Sequence, residues 1–218
     1  MPHSNYLYTS GDTKYFQEHI IPLIKSAKYH APFLNYHVHV YDMQSADFSW
    51  CLKNNVKITY SETPLEYKGK EKDYWSNHRF IILAGVLPLD ANVLSLDADS
   101  IFVRSITETQ FENDFSNCWI THRKNMKKGP LASAVGFKAN KHSRHMLRQL
   151  LSGKRLQWFD DQRALDELFK QGIFDKMDLK YSDYDMILPK SIVWTGKGPR
   201  KELIKFKNKQ DYWNNQIN

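Results

Sequence analysis

Hydrophobic and polar residues change period repeatedly along the N-terminal half of the chain. Asn5–Thr9 (NYLYT), Tyr36–Asp42 (YHVHVYD), Val56–Tyr60 (VKITY) and Val93–Leu96 are short alternating or apolar runs bounded by turn formers, the pattern of strands. Between the first two, Phe16, Ile20, Leu23, Ile24 and Ala27 recur at helical spacing, with Pro22 placed to kink the helix and Asp12 or Thr13 placed to cap it. Phe48–Leu52 predicts a short helix. Phe80, Leu83, Ala84 and Leu87 form the apolar stripe of a longer one that starts at Asp73 and stops at Pro88. Glu62–Lys72, charged and carrying a proline and a glycine, reads as a surface loop. This alternation predicts an α/β fold whose parallel strands are joined by right-handed crossovers.

The C-terminal half is less regular. Cys118–Arg123 and Leu131–Lys138 read as strands around a basic loop, Lys124–Gly129. Met146, Leu147, Leu150 and Leu151 mark a helix that Gly153 ends. Phe159-Asp160-Asp161-Gln162 opens another, with Ala164, Leu165, Leu168 and Phe169 on its apolar face and its end near Gly172. Acids at a helix start are favoured by the dipole, so Asp160 and Asp161 have a capping role available to them. Met186–Pro189 and Ile192–Trp194 are short apolar pieces, and the tail from Lys205 is polar, a frayed helix.

The stretch Asn92–Val103 (NVLSLDADSIFV) carries the most chemistry. A buried strand ends in two carboxylates one residue apart, Asp97 and Asp99, and a short second strand follows at Ile101-Phe102-Val103. Ligands of open α/β sheets bind outside the carboxyl ends of the strands. Paired acids there can hold a hard divalent cation that neutralises a diphosphate, and oxygen ligands suit Mg²⁺ or Mn²⁺. Thr195-Gly196-Lys197-Gly198-Pro199-Arg200-Lys201 is a second candidate, a basic loop whose glycines let backbone amides approach an anion. His37 and His39 share one face of their strand at the spacing of some metal ligands. No third ligand stands nearby, and they read as polar residues on a half-exposed face.

Composition narrows the classes. The 218 residues suit a single domain, 41% hydrophobic and 25% charged. No run approaches the roughly 18 apolar residues of a membrane span, no basic-then-apolar leader opens the chain, and the two cysteines, Cys51 and Cys118, are far apart. These features suit a cytoplasmic protein with buried thiols. The +7 formal charge gathers in Arg123–Lys128, Lys138–Arg148 and Lys197–Lys209, compatible with an anionic substrate or peripheral association with a membrane. No zinc finger or aromatic RNA-binding motif points to nucleic acid, and neither a Gly-x-Gly-x-x-Gly after the first strand nor a Walker loop is present.

Taken in order, these stretches resemble a nucleotide-sugar glycosyltransferase of the GT-A fold. YLYTSGD resembles the first nucleotide-binding strand and loop, YWSNHRFIILAGVLP the helix whose arginine faces the donor, and VLSLDADSIF the metal-binding Asp-x-Asp segment. WFDDQRALDELF and VWTGKGPRK resemble the later Asp-Gln helix start and the terminal phosphate loop. The likeness is to family 8-like enzymes and small lipopolysaccharide- or viral-type transferases. It implies a Rossmann-like, mostly parallel sheet flanked by helices, with a nucleotide-binding half (1–104) and a smaller mixed acceptor-side half (105–218).

It further implies a hexosyltransferase (EC 2.4 class) that uses Mn²⁺ or Mg²⁺ to move a sugar from a nucleotide-diphosphate donor, UDP-sugar first, to a glycan, glycoprotein or lipid-linked acceptor. By that resemblance Thr9 and Asp12 would meet the nucleoside, and Arg79 the diphosphate or donor sugar. Asp97 would meet ribose or the metal through water, Asp99 the metal directly, and Lys197, Gly198 and Lys201 the diphosphate. Asp161 and Gln162 would lie beside the anomeric carbon, and Asp160 or Asp161 would be the base of an inverting reaction. The chain departs from the family pattern twice. Val193-Trp194-Thr195 lacks the histidine that precedes the terminal loop, and Ser133-Ala134-Val135-Gly136 lacks the asparagine of the corresponding strand. Two other classes remain as alternatives: a haloacid-dehalogenase-type phosphohydrolase with Asp97 as nucleophile, and a non-catalytic basic module for polyanions.

Overall fold

A computed structural model describes residues 4–86, 90–122, 131–151, 157, 160–184, 189–196 and 198–216. In chain order its elements are β1 (Ser4–Asp12), α1 (Thr13–Tyr15), a π turn (Phe16–Ile20), α2 (Ile21–His30), β2 (Asn35–Tyr41), α3 (Ser45–Lys53) and β3 (Lys57–Ser61). A 3₁₀ turn (Leu65–Tyr67), α4 (Glu71–Val86), β4 (Ala91–Leu96), β5 (Ser100–Phe102), α5 (Glu108–Asn113), β6 (Trp119–Thr121) and β7 (Leu131–Ala139) follow. The chain continues through α6 (Lys141–Leu151), α7 (Asp160–Lys170), β8 (Asp175–Met177), a 3₁₀ turn (Leu179–Tyr181), β9 (Val193–Thr195), a last 3₁₀ turn (Gly198–Glu202) and α8 (Ile204–Asn215).

The central sheet has seven strands in the order β3-β2-β1-β4-β7-β6-β8, and β5 pairs with β9 in a small second sheet. β3, β2, β1 and β4 are mutually parallel, as the strand–helix alternation predicts, while β7 runs antiparallel to both β4 and β6. Period-two alternation divides the core between the two faces. Leu7, Val38, Leu94 and Leu96 pack with Phe16, Leu23 and Ile24 on one side. Tyr8, Val93, Val135 and Phe137 pack with Phe80, Leu83, Leu165 and Leu168 on the other. This is the α/β architecture with helices on both faces.

Some expectations change for physical reasons. The break in the first helix is a π turn over Phe16–Ile20, which stands immediately before the first turn of α2 that holds Pro22. His37 and His39 are buried rather than half exposed. His37 Nε2 and His39 Nδ1 meet Thr59 Oγ1 at 3.1 and 3.0 Å, and His39 Nε2 meets Ser61 Oγ at 3.0 Å, so the hydroxyls of β3 satisfy them. The charged segment Glu62–Lys72 contains a 3₁₀ turn anchored by buried Tyr67, and α4 starts at Glu71, ahead of Asp73.

The C-terminal tail is a docked helix and not a frayed one. Phe206, Gln210 and Trp213, at i, i+4 and i+7, turn inward over α2, and the Gln210 side chain bonds His19 Nδ1 at 2.7 Å. The predicted basic loop Lys124–Gly129 and Arg123, Leu87 of the apolar stripe, the stops at Pro88 and Gly153, and Phe159 and Met186 lie outside the described residues.

Candidate functional site

β1 and β4 are parallel neighbours, with Tyr8 opposite Ser95, so the chain leaves both at one edge of the sheet. Ser10-Gly11-Asp12 and Asp97-Ala98-Asp99 therefore open side by side onto a cleft of about 370 Å³. Helix α4 supplies a third wall through Lys72, Trp75, Ser76 and Arg79, whose i, i+3, i+4, i+7 spacing puts them on one helical face. Tyr15 follows the β1 turn, Asp161 and Gln162 come from the start of α7, and Gly198 and Lys201 from the turn after β9.

Arg79 organises the floor. One terminal nitrogen of its guanidinium donates to Asp97 Oδ1, and the other donates to Asp161 Oδ2 at 3.2 Å and to the Ala132 carbonyl at 3.0 Å. Burial disfavours the charge on Arg79, but the carboxylates of Asp97 and Asp161 more than offset this and hold it above its ordinary pKa. The same helix fixes the start of α7 through Asn77. Its side-chain oxygen accepts from the Asp161 amide, and its amide group donates to the Gln157 carbonyl at 2.7 Å. The residues between Asn77 and Asp161 in sequence are many, yet α4 sets the place of the later carboxylate directly.

Lys201 closes the cleft from the opposite side. Its ammonium donates to the Tyr15 hydroxyl at 2.5 Å and stands 4.9 Å from the centre of that ring. Burial would lower its pKa. The Tyr15 hydroxyl and the Asp99 carboxylate outweigh that and raise it, so it is a fixed cation beside the acids. The terminal loop is tied to the acidic segment by the β5–β9 pairing of Ser100 with Thr195 and by the Gly196 amide, which donates to the Asp99 carbonyl at 2.7 Å. Gly196 permits this closeness, since a Cβ there would lie 2.5 Å from the Phe206 ring.

The residues singled out in the sequence are distributed as follows. Asp12, Arg79, Asp97, Asp99, Asp161, Gln162, Gly198 and Lys201 line the one cleft. Asp12 also caps α1, accepting from the Tyr15 amide at 2.7 Å. Thr9 stands off the cleft wall: its buried hydroxyl donates to the Leu96 carbonyl at 3.0 Å, binding β1 to β4. Asp160 does not face the cleft. It accepts from the Gln157 amide at 2.7 Å and pairs with Arg163, the work of a helix cap. Lys197 lies outside the described residues. Sequence reasoning missed Tyr15 and Trp75. Trp75 was within reach, being one helical turn before Arg79, on the same face.

Among the described residues no group of three or more His, Cys, Asp or Glu side chains gathers into a metal shell. Val193, in the stretch where the resembled family has a histidine, is a buried β9 residue. Asp97 and Asp99 bring carboxylate oxygens, the donor type that suits a hard divalent cation, to the cleft wall, and Asp97 Oδ1 already accepts from Arg79. No helix among the described residues is long and apolar enough to cross a membrane.

No family model and no curated protein matches the chain. Solved structures do. The chain superposes on the glycosyltransferase GlyE of Streptococcus pneumoniae TIGR4 with a TM-score of 0.71 at 15% identity, covering 99% of this chain and 61% of that one. It therefore spans less than two thirds of the GlyE chain. It also superposes on the galactosyltransferase LgtC, solved in complex with donor and acceptor sugar analogues, with a TM-score of 0.67 at 12% identity over 98% of this chain and 97% of that one. An active-site mutant of LgtC gives a TM-score of 0.65 at 14% identity, over 89% of this chain and 88% of that one. The likeness favours neither the phosphohydrolase nor the polyanion-binding alternative. With its mostly parallel central sheet flanked by helices, the chain has the fold of these GT-A-type glycosyltransferases.

Proposed function

We propose that the chain is a glycosyltransferase that moves a hexosyl group from a nucleotide-diphosphate sugar, UDP-sugar first, to a glycan, glycoprotein or lipid-linked acceptor with the help of Mn²⁺ or Mg²⁺. One observation carries this reading: a paired carboxylate segment, a fixed lysine and an Asp-Gln helix start share a single cleft at the carboxyl edge of the parallel strands. Likeness of fold to transferases, one of them solved with donor and acceptor sugar analogues, supports it.

In this reading Asp97 and Asp99 hold the cation. The metal supplies Lewis-acid stabilisation of the departing diphosphate. Lys201 and the backbone at Gly198 stabilise the same growing charge, and being already fixed they need little rearrangement as it develops. Asp12, Tyr15 and Trp75 form the nucleoside end, with the two aromatic rings as apolar surfaces beside a polar cap. Asp161 and Gln162 lie at the sugar end, where an oxocarbenium-like transition state gains from a carboxylate and an amide. Arg79 places the Asp97 and Asp161 carboxylates. Asp160, engaged as a cap, is left out of the chemistry, and Asp161 is the remaining carboxylate for the base of an inverting reaction.

The test is calorimetric titration of UDP with and without Mn²⁺, on wild type and Asp99→Ala. The expected result is binding that needs both the metal and Asp99. Metal-independent binding of equal strength in both proteins would discard the roles given to Asp97 and Asp99, and no binding of UDP, GDP or dTDP would refute the transferase reading.

A further inference from the structure

A line of buried hydroxyls, none of them in the cleft lining, adjoins the acidic segment. The Tyr184 hydroxyl donates to Ser133 Oγ at 2.8 Å, and Ser133 Oγ meets Ser182 Oγ at 2.7 Å. Ser182 Oγ meets Thr195 Oγ1 at 3.3 Å, and Thr195 Oγ1 meets Ser100 Oγ at 3.1 Å. Ser133, Ser182, Thr195 and Ser100 are fully buried and Tyr184 nearly so. Each hydroxyl can give one hydrogen bond and accept another, so the line can run in one direction from Tyr184, every member polarising the next. A core built only for packing would use apolar residues here, since a half-satisfied buried hydroxyl costs more than none.

Ser133, Thr195 and Ser100, all members of the line, also stand at the two anchors of the acidic segment. The Asp97 amide donates to the Ser133 carbonyl at 2.9 Å, which ties the segment's start to β7. The Gly196 amide donates to the Asp99 carbonyl and Ser100 pairs with Thr195, which ties its end to β9. Strands β7 and β9 belong to different sheets, so nothing in the ladders fixes one anchor relative to the other. Ser182 bridges them by touching Ser133 on one side and Thr195 on the other. It is held in place because Asp183, the next residue, exchanges backbone bonds with β9 on either side of Trp194, its amide donating to Val193 and its carbonyl accepting from Thr195.

We infer that Ser182 and Thr195 are positioning residues that fix the spacing of the Asp97 and Asp99 carboxylates through the two backbone anchors. The inference rests on the transferase reading for its purpose. With no histidine at Val193–Thr195, the cation would depend on the geometry of two acids, and loosening either anchor would weaken it directly. Outer-shell groups of this kind change metal affinity about 10- to 100-fold when removed.

The experiment compares wild type with Ser182→Ala, Thr195→Val and Thr195→Ser. Amide hydrogen exchange is measured on the metal-free proteins. UDP with Mn²⁺, and uridine as a ligand without a diphosphate, are then titrated by calorimetry. In Ser182→Ala and Thr195→Val, exchange at the Asp97 and Gly196 amides should quicken while Val38 and Val40, in β2, keep wild-type protection. UDP·Mn²⁺ affinity should fall about tenfold with uridine affinity unchanged. Thr195→Ser, which keeps the hydroxyl, should restore both. Wild-type exchange at Asp97 and Gly196 in Ser182→Ala would overturn the inference. So would a parallel loss at Val38, Val40 and uridine, which would mean general loosening of the fold. Failure of wild type to bind UDP·Mn²⁺ would refute the transferase reading, while the exchange data would still decide whether Ser182 holds the segment.

Discussion

Arg79 on α4 donates to the carboxylate of Asp161 at the start of α7 at 3.2 Å, and both side chains are buried. The same guanidinium holds Asp97 at the end of β4. Three elements thus meet on one cation, and removing it leaves two acids without their counter-charge. Breaking one side of a buried ion pair costs about 3–5 kcal/mol. Arg79→Ala should lower stability in urea unfolding by an amount of that order. Arg79→Lys should recover only part of it, because an ammonium cannot reach two carboxylates and a carbonyl as a planar fork does. An unchanged midpoint in Arg79→Ala would contradict this role.

Gly136 on β7 lies beneath Trp119 on β6, and a Cβ at Gly136 would fall 2.1 Å from the indole. Trp119 is held from the other side by stacking on Tyr181 at 5.3 Å, so it has little room to retreat. Gly136→Ala should cost at least the roughly 1–3 kcal/mol of an overpacked core. Near-ultraviolet circular dichroism should report the displaced tryptophan. In the double variant with Trp119→Leu, most of the added penalty of Gly136→Ala should vanish, since the three atoms nearest the added Cβ all belong to that ring.

Helix α8 is an integral part of the fold through Phe206 and Trp213. Phe206 is fully buried against Trp194 of β9, at 5.2 Å between rings, and so lies directly behind the terminal loop. Phe206→Ala should destabilise the protein by about 3–5 kcal/mol, measured by thermal or urea unfolding. It should also weaken UDP binding, because Gly196 packs on that ring. Lys205→Ala, on the exposed face of the same helix, should change neither.

Stability should fall as the solution is acidified below neutrality. Burial holds His19, His37 and His78 near a pKa of about 4 and His39 near about 3, against 6.5 in an unfolded chain. Well above pH 6.5 all are neutral in both states and the native state keeps its full stability. Between about 6.5 and 4 the unfolded chain binds protons that the folded one does not, so unfolding becomes easier as pH drops. Each histidine contributes a slope of up to roughly 1.4 kcal/mol per pH unit in that window. Urea unfolding at pH 7.5, 6.0 and 5.0 measures it, and a flat profile would mean that these rings are protonated in the native protein.

The affinity of the cleft for UDP should depend on the bridge between Lys201 and Tyr15. Tyr15→Phe keeps the ring and removes the hydroxyl, and Lys201→Ala removes the cation. Calorimetry should show the larger loss in Lys201→Ala, with a double variant less impaired than the sum of the two, because they act through one contact. Full additivity would place the two groups in separate roles.

Local patterning carried much of this protein. Period two in β1, β2 and β4 and period 3.6 in α2, α4 and α7 are written in which residues are apolar, and a parallel sheet follows from their alternation. The exit of β4 into Asp97 and Asp99 was equally legible, because a strand that ends in acids puts them at the carboxyl edge wherever the sheet lies. What the sequence could not contain was the pairing of distant segments. That β7 would run antiparallel to β4, that β9 would clasp β5, and that Asn77 and Arg79 would fix Asp161 depend on contacts between residues scores apart, whose partners no local period encodes. The same packing decided burial. It enclosed His37 and His39 and turned the Thr9 hydroxyl onto the Leu96 carbonyl of β4. It also docked α8 through Phe206 and Trp213, because apolar area removed from water outweighs the polarity of the surrounding chain.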